Sequence, residues 1–237
     1  MVNKFSDQNN RGVTLIEIMI TIAISGMVLG SVFMVYTNQQ KTYLSSDHIA
    51  EIQQNLRAAI LIMSSEIREA GCDPTGKANA GIISATSAQL HFTRDIAGHV
   101  LKPDTMADGE LDDSNEDIIF GFSSSNDANL DGIADSGAAN LGRNTGGGFQ
   151  AIAEHIQAIG FAYILESGTI VSNPSSSQLN QIRAVQISLL ARASLPDTNF
   201  ENTQSYTSVS GTAWGPYNDS YKRRFATITI QCRNLGL

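Results

Sequence analysis

The chain has 237 residues, with 15 Lys and Arg against 23 Asp and Glu, a formal charge of −8 at pH 7. That length suits one globular domain and an extension. The acidic balance argues against a dedicated nucleic-acid surface, whose affinity comes largely from neutralising phosphates, and leaves room only for a local basic stripe. The only basic cluster, Lys222-Arg223-Arg224, reads as a solvated strand end.

A polar leader carrying Lys4, Asp7 and Arg11 ends at Gly12. From Val13 to Tyr36 about two dozen residues follow with Glu17 as their one charge, and a helix of roughly 20 apolar residues crosses a bilayer core. A carboxylate there costs on the order of 3 kcal/mol if charged at mid-bilayer, so Glu17 is a functional candidate that needs a partner. An ordinary cleaved secretory signal fits poorly, because no small-residue cleavage site follows the apolar run. Gly26 and Gly30 form a G-x-x-x-G pattern that would allow close helix contact.

The periodicity then changes without a break. Ile49, Ile52, Leu56, Ile60, Met63 and Ile67 recur at three- and four-residue steps, the pattern of an amphipathic helix. No proline interrupts 13–70, and Gly71 and Pro74 supply stop signals. One helix over 13–70, roughly 87 Å long at 1.5 Å per residue, is predicted. Beyond it the chain reads as short strands and polar loops. Strands are predicted at 82–93, 118–122, 156–165, 183–192 and 225–233, and loops at 123–148 and 172–177. An antiparallel sheet packed on the helical stripe makes an α+β fold. The predicted organisation is a leader at 1–12, a transmembrane helix at 13–36, the amphipathic half of that helix at 37–70, and a β-rich head at 71–237.

Within the head, Asp127, Asn129 and Asp131 offer oxygens on alternate residues. Gly132 supplies a sharp turn, Ile133 a backbone carbonyl and Asp135 a further carboxylate. The spacing matches the first part of an EF-hand-like calcium loop. Ala138 stands where the bidentate carboxylate belongs, so Asp112, Asp113 or Asp117 would have to complete the shell. The other reading is a solvated loop whose Asp and Asn serve turn chemistry. Residues 104–117 are also acidic, with irregular spacing.

The histidines His48, His91, His99 and His155 lack metal spacing, and no G-x-S-x-G elbow is present. Gly146-Gly147-Gly148 lacks the lysine and hydroxyl of a phosphate loop, so no enzyme is expected. Trp214, Tyr217 and Tyr221 read either as a loop packed on the sheet or as an exposed binding patch.

The run Gly12-Val13-Thr14-Leu15-Ile16-Glu17 resembles the prepilin signal of the type IV pilin and type II secretion pseudopilin superfamily. The resemblance implies that a membrane aspartyl peptidase cuts between Gly12 and Val13 and N-methylates Val13. It also implies that Glu17, the fifth residue after the cut, is an assembly carboxylate. Physical chemistry agrees with that assignment. Cleavage leaves an ammonium at Val13 in a low-dielectric setting, where a carboxylate attracts it far more strongly than in water. Glu17 of one subunit on the Val13 amine of its neighbour would set register and relieve two buried charges. The family usually has phenylalanine where this chain has Val13.

Further along, Leu141-Gly142-Arg143-Asn144 with Gly146-Gly147-Gly148, Ile182 to Ile187, and the ending Arg223 to Gly236 are similar to the PilW-type minor pilins. The resemblance implies a long N-terminal helix packed on a β-sheet head. It also implies partners: other major and minor pilins, the prepilin peptidase, an inner-membrane assembly platform, and membrane lipid before assembly. The expected location is a single pass in the inner membrane with the head in the periplasm, then the pilus. The nearest rival is a J-type pseudopilin of type II secretion. A tip adhesin or DNA-uptake pilin would need the head to bind a ligand directly. Export would place Cys72 and Cys232 in an oxidising compartment, where an even count favours a bridge worth about 2–4 kcal/mol. Two thiols too far apart to meet is the alternative.

Overall fold

A computed structural model describes residues 12–96 and 107–236, with backbone alone at 44–46. Its one long helix, α1, runs Leu15–Arg68 over 54 residues, two residues inside the predicted bounds at each end. Thr14 starts it: the Thr14 hydroxyl accepts the Glu17 amide at 3.3 Å, and so satisfies one of the orphan donors of the first turn. At the other end the Glu69 and Ala70 amides fold back onto the carbonyls of Glu66 and Ile67, and the Gly71 amide turns to Thr93.

The chain forms two compact units, 1–47 and 48–237. In the first, the helix carries its apolar side chains outward: Leu15, Ile16, Met27, Leu29 and Phe33 are all more than half exposed. In the second, Ile52, Leu56, Ala59, Met63 and Ile67 are buried on one stripe at steps of three and four. They pack against an antiparallel sheet.

The strands are β1 (Ile82–Ala85), β2 (Leu90–Thr93), β3 (Asp117–Gly121), β4 (Ala139–Asn144), β5 (Phe149–Leu165), β6 (Ile170–Val171), β7 (Ile182–Arg192), β8 (Tyr206–Thr207), β9 (Ala213–Trp214) and β10 (Arg223–Gln231). The main sheet has the order β1-β2-β3-β4-β5-β7-β10, with β6 beside the end of β5, and β8-β9 form a separate ribbon. Every pairing is antiparallel.

Alternation along β5 and β7 decides which face meets which partner. Ile159, Phe161, Ile187 and Leu189 point to the core shared with α1. Ala158 and Leu190 point the other way, under Tyr206 and Trp214. Gly160 permits that second layer, since a Cβ there would lie 3.0 Å from Ser208 and 3.2 Å from Trp214. Trp214, 1% exposed, is therefore packed on the sheet, and the exposed-patch reading does not hold for it.

Three strand predictions needed adjustment. Residues 82–93 form a hairpin instead of one strand, because the Thr86 hydroxyl accepts the Ala88 and Gln89 amides and turns the chain. The segment read as a loop at 123–148 contains β4, which pairs β5 across a turn where Asn144 accepts the Gly146 and Gly148 amides. β5 itself starts at Phe149 and runs 17 residues.

Candidate functional site

The residues that carry the N-terminal motif lie at the start of α1. Gly12 and Val13 precede the helix in irregular, exposed backbone, so the bond between them is not sequestered by helical hydrogen bonds. Glu17 sits exposed in the first turn, three residues after the Thr14 cap. The positive end of the helix macrodipole favours a carboxylate there. Residues 1–11 of the leader lie outside the described residues. The apolar stretch of α1 has a mean hydropathy of 2.3 over its best window, none of which is buried inside the protein. By length and composition it can cross a membrane.

The Asp127–Asp135 segment forms a tight loop held by its own amides. Asp127, 1% exposed, accepts the Asp131 amide at 3.1 Å and the Gly132 amide at 2.8 Å on its two oxygens. Asp131 accepts the Ile133 amide at 2.8 Å, and Asp135 accepts the Ala128 amide at 2.9 Å. Gly132 has φ +82°, and a Cβ there would sit 2.3 Å from the Ile159 carbonyl oxygen, so the turn requires glycine. Of the distant acids expected to complete the shell, Asp117 bonds His91 instead. Asp112 and Asp113 group with Asp108.

Cys72 and Cys232 are free thiols in this structure, so the expected bridge is not formed in it. Cys72 lies half-buried in the turn after α1, where burial, then Glu69 and Asp95, raise its pKa. Cys232 sits in the apolar core, and burial pushes its thiol up to about 12. The two sulfurs occupy different environments, one polar and one apolar.

The basic cluster is used internally. Arg223, whose side chain is fully buried, grips Asp219 with two nitrogens at 2.6 and 2.7 Å, donates to Gln157, and stacks 4.1 Å over Tyr217. That grip holds the Asp219 carboxyl below its ordinary range. Lys222 pairs with Asp197 at 2.8 Å, and Arg224 alone of the three is exposed. The solvated-strand-end reading therefore fails for Arg223, whose charge is balanced inside the head.

Sequence reasoning missed a second network. Glu66, at the end of the buried helical stripe, accepts Arg143 Nε at 2.7 Å and lies 3.6 Å from Arg94. Arg94 also pairs with Glu69 and donates to the Asn115 carbonyl. The partners come from α1, β4 and the segment after β2. Local spacing could not join them; the one available hint was a charge adjoining the apolar positions Met63 and Ile67.

The model of the family described as "Type IV Pilus-assembly protein W" matches residues 139–234, from β4 to just beyond β10. That described as "Prokaryotic N-terminal methylation motif" matches residues 7–33. The chain belongs to the type IV pilin superfamily. Within it, the chain is of the PilW type, a pilin-like protein with an N-methylation motif. Among solved structures it is similar to a type IV-like pilin from Thermus thermophilus, at 15% identity and a TM-score of 0.47, covering 78% of this chain and 98% of that one. No curated protein matches. The family and motif imply interaction with other pilins and with processing machinery, and the motif with its apolar helix is consistent with membrane anchoring.

Proposed function

We propose that this protein is a minor pilin, stored in the inner membrane with its head in the periplasm, that enters or primes a type IV pilus after processing. The prepilin peptidase cuts between Gly12 and Val13, and the new Val13 amine is methylated. Methylation of an amine can leave its positive charge in place. The apolar residues of α1 from Val13 to Tyr36 lie in lipid before assembly and among the helices of major and minor pilins afterwards. The head at 71–237, with the amphipathic stretch at 37–70, provides lateral contacts, and the protein carries no catalytic role.

The observation that carries this reading is the exposed, non-helical Gly12–Val13 bond set just before a capped helix whose first turn holds Glu17. Cleavage would put an ammonium beside the positive end of the helix macrodipole, which is unfavourable by about 0.3–1 kcal/mol in exposed settings. A carboxylate from a neighbouring subunit removes that penalty and, in a low-dielectric fibre, gains far more than it would in water. Glu17 therefore aligns subunits as well as anchoring them.

The PilW family match favours a pilus over a secretion pseudopilus. The Asp127 loop is proposed as a weak calcium site of the head, since its alternate oxygens and Gly132 follow the spacing of such loops. Assembly is tested by Glu17→Val in cells that make pili. The expected result is processing at the normal rate with surface pilus number reduced at least several-fold. Unchanged piliation would remove Glu17 from the account.

A further inference from the structure

The main sheet ends on two strands of different kinds. β1 covers four residues, and its register slips between Ile82 and Ser84. Short, bulged edges of this sort resist pairing with another chain. β10 covers nine residues, contains no proline, and pairs with β7 in unbroken register. Two bonds at its ends fix which way each residue faces. The Ala193 amide donates to the Lys222 carbonyl at 2.8 Å, and the Cys232 amide donates to the Arg183 carbonyl at 3.0 Å. Bonded residues alternate along an antiparallel pair. Arg224, Ala226, Ile228 and Ile230 therefore turn their amides and carbonyls to β7, while Phe225, Thr227, Thr229 and Gln231 turn theirs outward. Those four make no backbone hydrogen bond on the outer side among the described residues, and all four are exposed. Past the end of the strand the Arg233 amide donates to the Arg68 carbonyl at 3.2 Å, which closes the edge there against α1.

Beside the open stretch lies a hollow of about 310 Å³ between α1 and β10, lined by Gln53, Leu56, Arg57, Ile60, Arg224 and Phe225. Leu56, Ile60 and Phe225 give it apolar walls, and Phe225 is held by the edge of Trp214 at 6.1 Å. Its charges are two guanidinium groups. Arg57 and Arg224 are exposed, and neither has an acidic partner among the described residues. The chain as a whole stands at −8, yet the charged lining of this hollow is positive alone. An extended segment laid along β10 would pair with the outward amides and carbonyls as an added strand. Carboxylates on that segment would meet the two guanidinium forks. A second copy of β10 does not fit, because the charges it brings are again arginines, Arg223 and Arg224.

We propose that the outer edge of β10 receives an extended, acidic segment of a different pilin subunit. The segment adds to the sheet beside Phe225, Thr227 and Thr229 and sets its carboxylates on Arg57 and Arg224. Main-chain bonds hold it, and the arginines select the partner and its register. The contact is one of the head's lateral contacts and rests on the minor-pilin reading.

The test uses the full-length chain in detergent and a short fluorescent peptide of alternating valine and threonine with glutamate at both ends. A peptide with lysine at both ends and a DNA duplex are run beside it. The glutamate-ended peptide is expected to bind at least about five-fold more tightly than the lysine-ended one. Its binding should slow amide exchange at Phe225, Thr227 and Thr229. Arg57→Gln combined with Arg224→Gln should erase the preference for glutamate ends. Thr227→Pro removes an outward donor and no bond to β7, as edge strands tolerate, and should abolish binding with the circular dichroism spectrum unchanged. If that variant unfolds, the arginine pair and the exchange pattern still decide. Absence of peptide binding, unchanged exchange at Thr227 and Thr229, an undiminished preference in the arginine variant, or binding of DNA in place of the peptide overturns the proposal. The purified chain needs no pilus to bind a peptide, so a negative result strikes this edge alone, whereas normal piliation in Glu17→Val strikes the assembly reading alone.

Discussion

The two stretches of α1 solve the same physical problem in opposite ways. From His48 onward every large apolar side chain on one stripe is covered by the protein's own sheet. Near the N-terminus, apolar side chains of similar size stand open on all sides of the helix. Burying one such side chain is worth about 1.5–3 kcal/mol, so the open stretch holds a large unrealised stabilisation. Only lipid or other helices can supply it. The covered stretch builds a head, and the open stretch builds an association surface.

The sharpest way to break this contrast is at its polar boundary. Glu66→Ala leaves Arg143 and Arg94, both nearly buried, without their shared carboxylate, and should destabilise the head by about 3–5 kcal/mol. Thermal denaturation of the detergent-solubilised chain would show it; a loss below 1 kcal/mol would mean that the network does not hold α1 to the sheet. Slightly smaller is Met63→Ala, at a position with no exposure, which should cost about 3 kcal/mol. The matched change Met27→Ala, at a position 74% exposed, should alter stability by less than about 0.5 kcal/mol. Equal losses at the two methionines would erase the distinction between the stretches. Thr14→Ala removes the cap and should weaken the first turn by about 1 kcal/mol, read as faster amide exchange at Leu15 to Ile18.

The smallest effect is a pH dependence inside the head. Arg223 depresses the native pKa of Asp219, so the native state binds fewer protons there than the unfolded chain. The stability this pair contributes is full above the unfolded value, about pH 4, and is lost as pH falls through the lower native value. The stability gap between the parent and Asp219→Asn should accordingly narrow in acid. A gap that widened below that pH would reverse the sign assigned to the pair.

Much of this contrast was legible in the residues. An unbroken apolar run followed by three- and four-residue steps identified both stretches of α1, because helix period and burial are local properties. Glu17 stood out as the single charge in that run. β7 was visible through its alternation, yet β4 was hidden, since Leu141-Gly142-Arg143 buries a charged side chain against a helix far away in sequence. The same reason concealed Glu66 and Arg94. Lys222-Arg223-Arg224 was misjudged because Gln157 and Asp197 become its neighbours only in the folded head, although Asp219, four residues before Arg223, was a local hint. Spacing in the Asp127 loop showed the alternate oxygens and the glycine turn, but not the loop amides that fix where those oxygens sit.

The central claim is that a peptide bond ahead of an uncovered apolar helix is cut to create a charged end for Glu17 of a neighbour to meet. Intact-mass and N-terminal peptide mass spectrometry of the protein from piliated cells addresses it directly. The account predicts a chain that begins at Val13 and carries one methyl group on its amine. Recovery of the chain with residues 1–12 still attached, from cells whose peptidase is active, would contradict it.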